Sequence, residues 1–196
     1  MPQPTLQFDA ESHTYTLGKE KLLSVTGILK DLGMMGDTSH WTEEARDRGT
    51  LVAQLTHYYD ENDLDFSTVA PELMPYLDAW RQFRNWSRCK ILQAESRVYH
   101  ESLMYAGTLD RLVTGFTAKD LPVLVDLKCG DFCEWHPLQT AAYALCLPFP
   151  VKRASVHLSP GKFRMKMHDD KGDYEIWKSA ATVARWKQIY AQRKED

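Results

Sequence analysis

The chain has 196 residues, of which 43% are hydrophobic and 26% are charged, and its formal net charge is −3. This composition is typical of a globular protein, and it excludes a disordered chain, a collagen-like chain and a membrane-spanning protein. The negative charge argues against a general nucleic-acid binder. We expect a single domain over residues 1–196. Because the N-terminus does not resemble a signal peptide, we also expect a cytoplasmic protein.

The N-terminal half combines one strand-like region with helices. Alternating apolar and polar residues, capping residues and helical spacing of apolar side chains predict its elements. In chain order they are a hairpin around Leu17–Lys19, a helix capped by Ser24 or Thr26 that ends at Gly33, a loop over Met34–His40, a helix over Trp41–Tyr59 with Thr42 as N-cap, an acidic connector over Asp60–Pro71 and a helix over Pro71–Ser87.

The C-terminal half changes to a period of two from Ile91. The pattern predicts three strands within 91–100, 105–116 and 121–128, a helix from about His136 until Pro148, a hairpin that turns at Ser159–Gly161 and a last helix over about Tyr174–Gln192. The order of elements indicates an α/β fold, in which helices flank a central mixed β-sheet.

Each of the three consecutive strands carries a carboxylate in an apolar setting: Glu95, Asp110 and Asp126. Side chains alternate along a strand, so Asp126 and Lys128 share a face, and facing residues of adjacent strands can touch. Clustered carboxylates repel one another unless they are protonated or bind a cation, and hard oxygen ligands favour Mg²⁺ or Mn²⁺. For an isolated Asp-x-Lys the alternative is an ordinary ion pair at the end of a core strand.

Other candidate ligands are less distinctive. Gln139 and Tyr143 lie four residues apart and share a helix face, where they could orient Lys128 or a phosphate, although a plain polar helix face is the alternative. Cys129 and Cys133 could contribute to a metal site, but no second close pair completes one, and we expect the four cysteines to be reduced thiols.

Four motifs in this order and spacing resemble the RecB-type branch of the PD-(D/E)XK nuclease superfamily, which includes phage and prophage exonucleases. They are ESRVYH, GTLDRL, LVDLKCG and LQTAAYAL, and the resemblance covers about Arg46–Leu147. It implies a restriction-endonuclease-like core and a DNA nuclease that depends on Mg²⁺ or Mn²⁺.

The resemblance also implies roles for single residues. Asp110, Asp126 and the backbone carbonyl of Leu127 would bind the metal, and Glu95 would complete the acidic cluster or serve a second metal. Lys128 would assist the attacking water. Gln139 and Tyr143 would support Lys128 and the DNA backbone.

The chain departs from the family pattern in the helix that follows Arg48. Members of the family have a metal-binding His four residues after the Gly of this helix, where this chain has Ala53. His57 lies one further step of four along the helix and could substitute in part, although a surface histidine is the alternative. The departure raises a second hypothesis, a catalytically weak protein of nuclease fold that binds DNA or a recombination partner.

The sequence KFRMKMH predicts a strand with one apolar and one basic face. Lys162, Arg164 and Lys166 would contact the DNA backbone, or they would protect an edge strand from aggregation. Arg111 is also included among the predicted DNA contacts. The resemblance further implies a recombination or repair role, with a single-strand annealing protein or another recombination protein as a partner, and it is compatible with an oligomer.

Overall fold

The computed structural model describes residues 5–37, 42–115 and 121–195, with backbone only for 192–195. Trp41 and residues 38–40 of the predicted loop lie outside this part. No helix in the described ranges is long and apolar enough to cross a bilayer. The elements are β1 (Leu6–Asp9), β2 (Thr14–Leu17), β3 (Glu20–Ser24), α1 (Val25–Asp31), α2 (Glu43–Asp60), α3 (Met74–Ser87), β4 (Lys90–His100), β5 (Tyr105–Thr114), β6 (Val123–Lys128), α4 (His136–Leu145), β7 (Lys152–Ser159), β8 (Lys162–Met167) and α5 (Gly172–Glu195).

Local sequence signals explain where the helices begin. The Ser24 hydroxyl accepts a hydrogen bond from the Gly27 amide at 3.0 Å, and the Thr42 hydroxyl accepts one from the Ala45 amide at 3.1 Å. Each satisfies an amide that the first helical turn leaves without a partner. The helices α3 and α4 instead have a proline in the first turn. The predicted helices are confirmed, with boundaries that differ by a few residues.

The strands form one mixed sheet with the order β1-β2-β3-β5-β6-β7-β8, and β4 pairs with β5 outside this path. The pairs β3–β5 and β6–β7 are parallel, whereas the other pairs are antiparallel. The sequence-based prediction of an α/β fold with a central mixed sheet flanked by helices is confirmed.

The strand β5 is a branch point of this sheet. Because β4 pairs with β5 from end to end, β3 and β6 must share the opposite edge of β5. On that edge β3 pairs with Tyr105 and Ala106, and β6 pairs with residues 111–113. Residues 107–110 therefore lie in the fork between the two pairings.

Two apolar layers cover the sheet. On one face α1, α4 and α5 pack around buried residues such as Leu124 and Trp177. On the other face α2 and α3 pack against Val123 and Val125, and Trp80 of α3 is fully buried in this layer. The alternation along β6 places Asp126 and Lys128 on the face of Leu124, as predicted.

Candidate active site

Asp110 and Asp126 are neighbours at the fork of the sheet. The last residue pair of β5 and β6 is Arg111 with Val125, so one further step of the register brings Asp110 opposite Asp126. The Asp110 Oδ2 atom accepts a hydrogen bond from the Leu127 amide at 2.6 Å. The antiparallel register and this bond hold the two carboxylates beside each other on one face, as the sequence predicted.

Asp126 is a buried carboxylate whose compensation is incomplete. Its side chain is 1% exposed, and the Lys128 ammonium lies 2.6 Å from Oδ2. Within residues 5–37, 42–115 and 121–195, no other group donates a hydrogen bond to Oδ2. Burial raises the pKa of Asp126, Lys128 opposes the rise, and the Asp110 carboxylate adds to it. A further cation beside Asp126 would therefore stabilise the charged form.

Lys128 carries the positive charge of the centre. Burial alone would lower its pKa, but Asp126 and Asp110 outweigh burial, and the pKa of Lys128 is raised. Its ammonium lies 5.4 Å from the centroid of the Trp135 ring, at a distance suited to a cation–π contact. Lys128 is therefore an ammonium ion at neutral pH and can hold an anion or a polarised water.

Glu95 belongs to the same electrostatic cluster but is held from another side. Its backbone has φ of 47°, a left-handed conformation that is uncommon for a non-glycine residue. The Arg111 guanidinium donates a hydrogen bond to its carboxylate at 2.9 Å. Burial and the Asp110 carboxylate nevertheless raise the pKa of Glu95 to about 7. Glu95 is thus close enough to Asp110 to interact with it.

The donor chemistry fits a hard cation at Asp110 and Asp126. Two adjacent carboxylates, one of them fully buried and only partly offset by the Lys128 ammonium, are ligands that Mg²⁺ or Mn²⁺ prefers. No group of three His, Cys, Asp or Glu side chains in residues 5–37, 42–115 and 121–195 could hold a metal together. The structure therefore brings Asp110 and Asp126 together, but it does not bring Glu95 or His57 into one ligand group with them.

Gln139 and Tyr143 on α4 form a buried pair behind the carboxylates. The Gln139 amide donates a hydrogen bond to the Tyr143 hydroxyl at 3.1 Å, while Gln139 Oε1 is buried without a hydrogen-bond partner. Burial raises the pKa of Tyr143, and the charges of Asp126 and Asp110 raise it further. The predicted trailing motif therefore lies at the carboxylate centre.

The glycine of the sequence GTLD has a steric role. A Cβ atom at Gly107 would lie 2.6 Å from Cε1 of Tyr143 and 3.3 Å from Cγ2 of Val25. A side chain at this position would have to displace the Tyr143 ring. Gly107 thus leaves space for the Tyr143 ring in the fork, three residues before the Asp110 carboxylate.

The prediction that Arg111 contacts DNA is wrong. Its side chain has no exposed surface, and its guanidinium donates hydrogen bonds to Asp60 at 2.7 Å, Glu95 at 2.9 Å and the Thr56 hydroxyl at 3.3 Å. Asp60 also forms an ion pair with Arg84 and accepts a hydrogen bond from the Trp80 indole. Because the guanidinium is fully buried and bonded to these partners, Arg111 is a structural residue that joins α2 to β5 and positions Glu95.

The helix α2 faces the site along much of its length. Ala53 and His57 line one cavity together with Glu95 and Tyr143. His57 Nδ1 is buried and has no hydrogen-bond partner in the part of the chain that the structure describes. A longer side chain at position 53 would therefore extend into the cavity that Glu95 and Tyr143 line.

A second cavity of about 480 Å³ lies on the Lys128 side of the centre, and we call it the basic cavity. Its lining includes Arg46 and Arg48 from α2, together with Lys128 and Trp135. His136 also lines it, but burial and the Lys128 charge lower the pKa of His136 to about 2. The positive charge of this cavity therefore comes from arginine and lysine at neutral pH.

The basic side chains of β8 lie on the same face of the sheet as Asp126 and Lys128. The register aligns Asp126 with Ser155 and Lys166, and it aligns Lys128 with His157 and Arg164. Residues aligned across strands share a face, so Lys166 and Arg164 lie about 10 Å from the centre along the sheet. Both side chains are exposed and lie over the Phe132 ring, and Arg164 also pairs with Asp131 at 2.9 Å. Lys162 is exposed one step further out, opposite Ser159.

The four cysteines are free thiols. Burial raises the pKa of Cys129 to about 11, and the nearby Arg48 and Lys128 only partly offset this rise. Cys129 is therefore a neutral thiol at neutral pH, next to the centre but without a charge of its own.

Comparisons with known proteins identify a similar fold. The solved structure named "Putative exonuclease" from Eubacterium rectale matches with a TM-score of 0.51 and 11% sequence identity, over 89% of this chain and 82% of that chain. A second structure, named SSO0001, has 16% identity over 82% of this chain and 85% of that chain, with a TM-score of 0.37. No family model matches the chain, and no curated protein matches it.

Proposed function

We propose that this chain is a metal-dependent nuclease that hydrolyses phosphodiester bonds in DNA. The observation that carries the proposal is the arrangement at the fork, where Asp110 and Asp126 adjoin each other and Lys128 lies against Asp126. This cluster is costly for folding alone, because the buried Asp126 carboxylate is only partly compensated. The similarity of the fold to a protein named "Putative exonuclease" supports the same reading.

Asp110 and Asp126 would hold the Mg²⁺ or Mn²⁺ ion, together with the Leu127 carbonyl, waters and oxygens of the phosphate. When bound, the ion would lower the pKa of a water and polarise the phosphodiester. Glu95 and His57 lie outside this ligand group in the described residues, so any contact they make with a metal would require a second site or a movement of the side chains.

The residues around the ion would bind and orient the substrate. The Lys128 ammonium would hold the attacking water or a phosphate oxygen, because it remains charged and lies at the edge of the basic cavity. The hydrogen-bonded pair of Gln139 and Tyr143 on α4 would support Lys128 and the DNA backbone. Arg164 and Lys166 would contact the DNA backbone beyond the centre, since phosphate contacts supply affinity without sequence preference.

The finer biological assignment rests on the sequence resemblance. It favours an exonuclease of a phage or prophage recombination or repair system, which would work with a single-strand annealing protein.

A specific observation favours a second candidate function. Ala53 lines the cavity beside Glu95 and Tyr143, where the resembling family has a histidine ligand. In addition, the Lys128 ammonium lies 2.6 Å from Asp126 Oδ2, so it competes with a metal for this carboxylate. A protein with these features could bind DNA through the nuclease fold while cleaving it slowly or not at all.

The test is a cleavage assay with end-labelled linear DNA and circular DNA, with and without Mn²⁺. We expect Mn²⁺-dependent release of nucleotides from linear DNA and much less cleavage of circular DNA. Lys128→Met should lower the cleavage rate far more than the affinity for DNA, because its role belongs to the reacting groups. The exposed Lys171→Met is the matched control and should leave both unchanged.

Each other result of this assay changes the assignment. Cleavage of circular DNA at the same rate would make the protein an endonuclease. Equal losses of affinity and rate in Lys128→Met would make Lys128 an ordinary phosphate contact. Tight DNA binding without any cleavage would favour the second candidate.

A further inference from the structure

A cavity of about 590 Å³ is lined by residues of the β1–β2 hairpin and of α2 and by Glu95 and Tyr143, and we call it the aromatic cavity. One wall is the β1–β2 hairpin, and the other is the second half of α2. Its volume is within the usual range for small-molecule sites. It adjoins the carboxylate centre, because Glu95 and Tyr143 line it as well.

The hairpin wall of the aromatic cavity is a cluster of rings. Phe8 and Tyr15 lie 4.6 Å apart between ring centroids, and Phe8 and His13 lie 5.2 Å apart in an edge-to-face arrangement. Tyr15 is buried and hydrogen-bonds the Thr108 hydroxyl at 2.9 Å, whereas Phe8 is half-buried and His13 is exposed. The buried ring thus supports the position of two rings that are open to the cavity.

The lining of the aromatic cavity contains a basic side chain, Arg97, beside the rings and an acidic one, Glu95, next to the carboxylate centre. The Arg97 guanidinium is exposed and lies 5.4 Å from the Phe8 centroid. On the opposite wall, His57 Nδ1 is buried without a hydrogen-bond partner. The cavity therefore combines an aromatic face, a cation and polar atoms, which are the features that bind a nucleotide of a single strand.

We infer that the aromatic cavity holds an unpaired base of single-stranded DNA, next to the nucleotide whose phosphate reaches the carboxylate centre. The base stacks on Phe8, the His13 ring lies edge-on to it, and Arg97 contacts the phosphate attached to the base. The inference rests on the proposed nuclease function and names its substrate, which is a single-stranded or frayed end. A base within a duplex is already stacked and paired, and the cavity between the hairpin and α2 is too small to admit a base pair with its neighbours.

The test compares binding of two fluorescein-labelled probes by fluorescence anisotropy, a 15-nucleotide single strand and a blunt duplex of 15 base pairs. Both are measured in Ca²⁺, and gel analysis of the probes verifies that they remain intact. The variants are Phe8→Leu, which keeps apolar packing against Tyr15, Phe8→Trp, which keeps an aromatic face, and His13→Asn, because asparagine tolerates the left-handed backbone at φ of 49°. Phe149→Leu is the control, since Phe149 is an exposed aromatic residue after α4, near the opposite end of β6 from Lys128.

We expect Phe8→Leu to weaken binding of the single strand about tenfold, His13→Asn to weaken it less, and Phe8→Trp and the control to retain it. Binding of the duplex should change little in every variant. Circular dichroism of each variant establishes that it is folded, and a loss restricted to one probe cannot arise from unfolding.

The outcomes separate this inference from the proposed function. Unchanged binding of the single strand by Phe8→Leu, an equal loss on both probes, or no binding of the single strand by the parent protein would overturn the inference, even if the parent protein cleaves DNA. If the parent protein does not cleave DNA but Phe8→Leu still loses affinity for the single strand alone, the result would support the aromatic cavity and count against the nuclease function.

Discussion

Asp110 and Arg111 are consecutive residues of β5, yet their side chains lie on opposite faces of the sheet in two different kinds of charged cluster. Arg111 is fully buried, and its guanidinium bonds Asp60, Glu95 and Thr56. On the other face, the carboxylates of Asp110 and Asp126 adjoin, and the Lys128 ammonium offsets the burial of Asp126 only in part. A closed network of this kind is typical of structure, and an incompletely compensated one is typical of a site.

The two clusters are also connected. Glu95 accepts a hydrogen bond from Arg111 on one side, and the Asp110 charge raises its pKa on the other. Since Asp60 at the end of α2 anchors Arg111, the structural cluster fixes both α2 and Glu95 relative to the site. The comparison predicts that changes in the Arg111 cluster affect stability first, while changes in the Asp110 cluster affect chemistry first.

The largest effect on stability is expected for Asp60→Asn. It leaves the buried Arg111 guanidinium short of a negative partner, and breaking a buried ion pair costs about 3–5 kcal/mol. Asp78→Asn is the matched control, because the pair of Asp78 with Arg81 is exposed and contributes less than about 1 kcal/mol. Urea unfolding measures both. A loss below about 1 kcal/mol for Asp60→Asn would mean that the Arg111 cluster is not the structural anchor.

A smaller loss is expected for Gly107→Ala in the fork. The new Cβ atom would meet the Tyr143 ring, and overpacking of this kind costs about 1–3 kcal/mol. The control is Gly49→Ala in α2, where no heavy atom lies within 4 Å and alanine should stabilise the helix by up to about 1 kcal/mol. Thermal unfolding compares the two variants. If both variants change the free energy of unfolding equally and with the same sign, the position of the Tyr143 ring does not require a glycine at residue 107.

Local sequence signals predicted much of this architecture. Ser24 and Thr42 as caps, the Gly18 turn, and the alternation in β5, β6 and β8 each depend on neighbouring residues, so the elements and the shared face of Asp126 and Lys128 could be predicted. The additional strand β1 and the exact helix ends depend on tertiary packing and were not predicted.

The role of Arg111 could not be predicted, because its partner Asp60 lies 51 residues away in sequence. The position of Glu95 depends on its own left-handed backbone and on a bulge between Ile91 and Gln93. No glycine stands at either place, so the sequence does not indicate these two irregularities. The approach of Tyr143 to Gly107 likewise depends on how α4 packs on the sheet. Each of these features requires a long-range contact, which periodicity does not encode.

Two variants of α2 test how closely the helix borders the Asp110 cluster. Ala53→His should strengthen Mn²⁺ binding several-fold, because position 53 lines the cavity beside Glu95. His57→Ala should weaken it only if His57 contributes to a metal site. Isothermal titration with Mn²⁺ measures both, and exposed Gln54→Ala provides the control. If neither variant changes the affinity for Mn²⁺, α2 does not contribute to metal binding.

The smallest effect concerns the exposed face of β8. If Lys162, Arg164 and Lys166 each contact a phosphate, replacing all three by alanine should reduce the log–log slope of DNA affinity against salt by about three units. Binding is measured in Ca²⁺ over a range of salt concentrations. Replacement of the half-buried Lys178 and the exposed Lys187 on α5 by alanine is the control. An unchanged slope would leave the β8 residues as protection of an edge strand.

Thermal unfolding with and without Mn²⁺ tests most directly the claim that Asp110 and Asp126 form a metal-dependent centre. At about 100 times the dissociation constant, binding to the folded state adds about 2.7 kcal/mol, which raises Tm by roughly 5–10 °C for a domain of this size. We expect this rise in the parent protein and in Asp78→Asn, and we expect it to be lost in Asp110→Asn and Asp126→Asn. An equal rise in all four proteins, or no rise in the parent protein, would contradict the account.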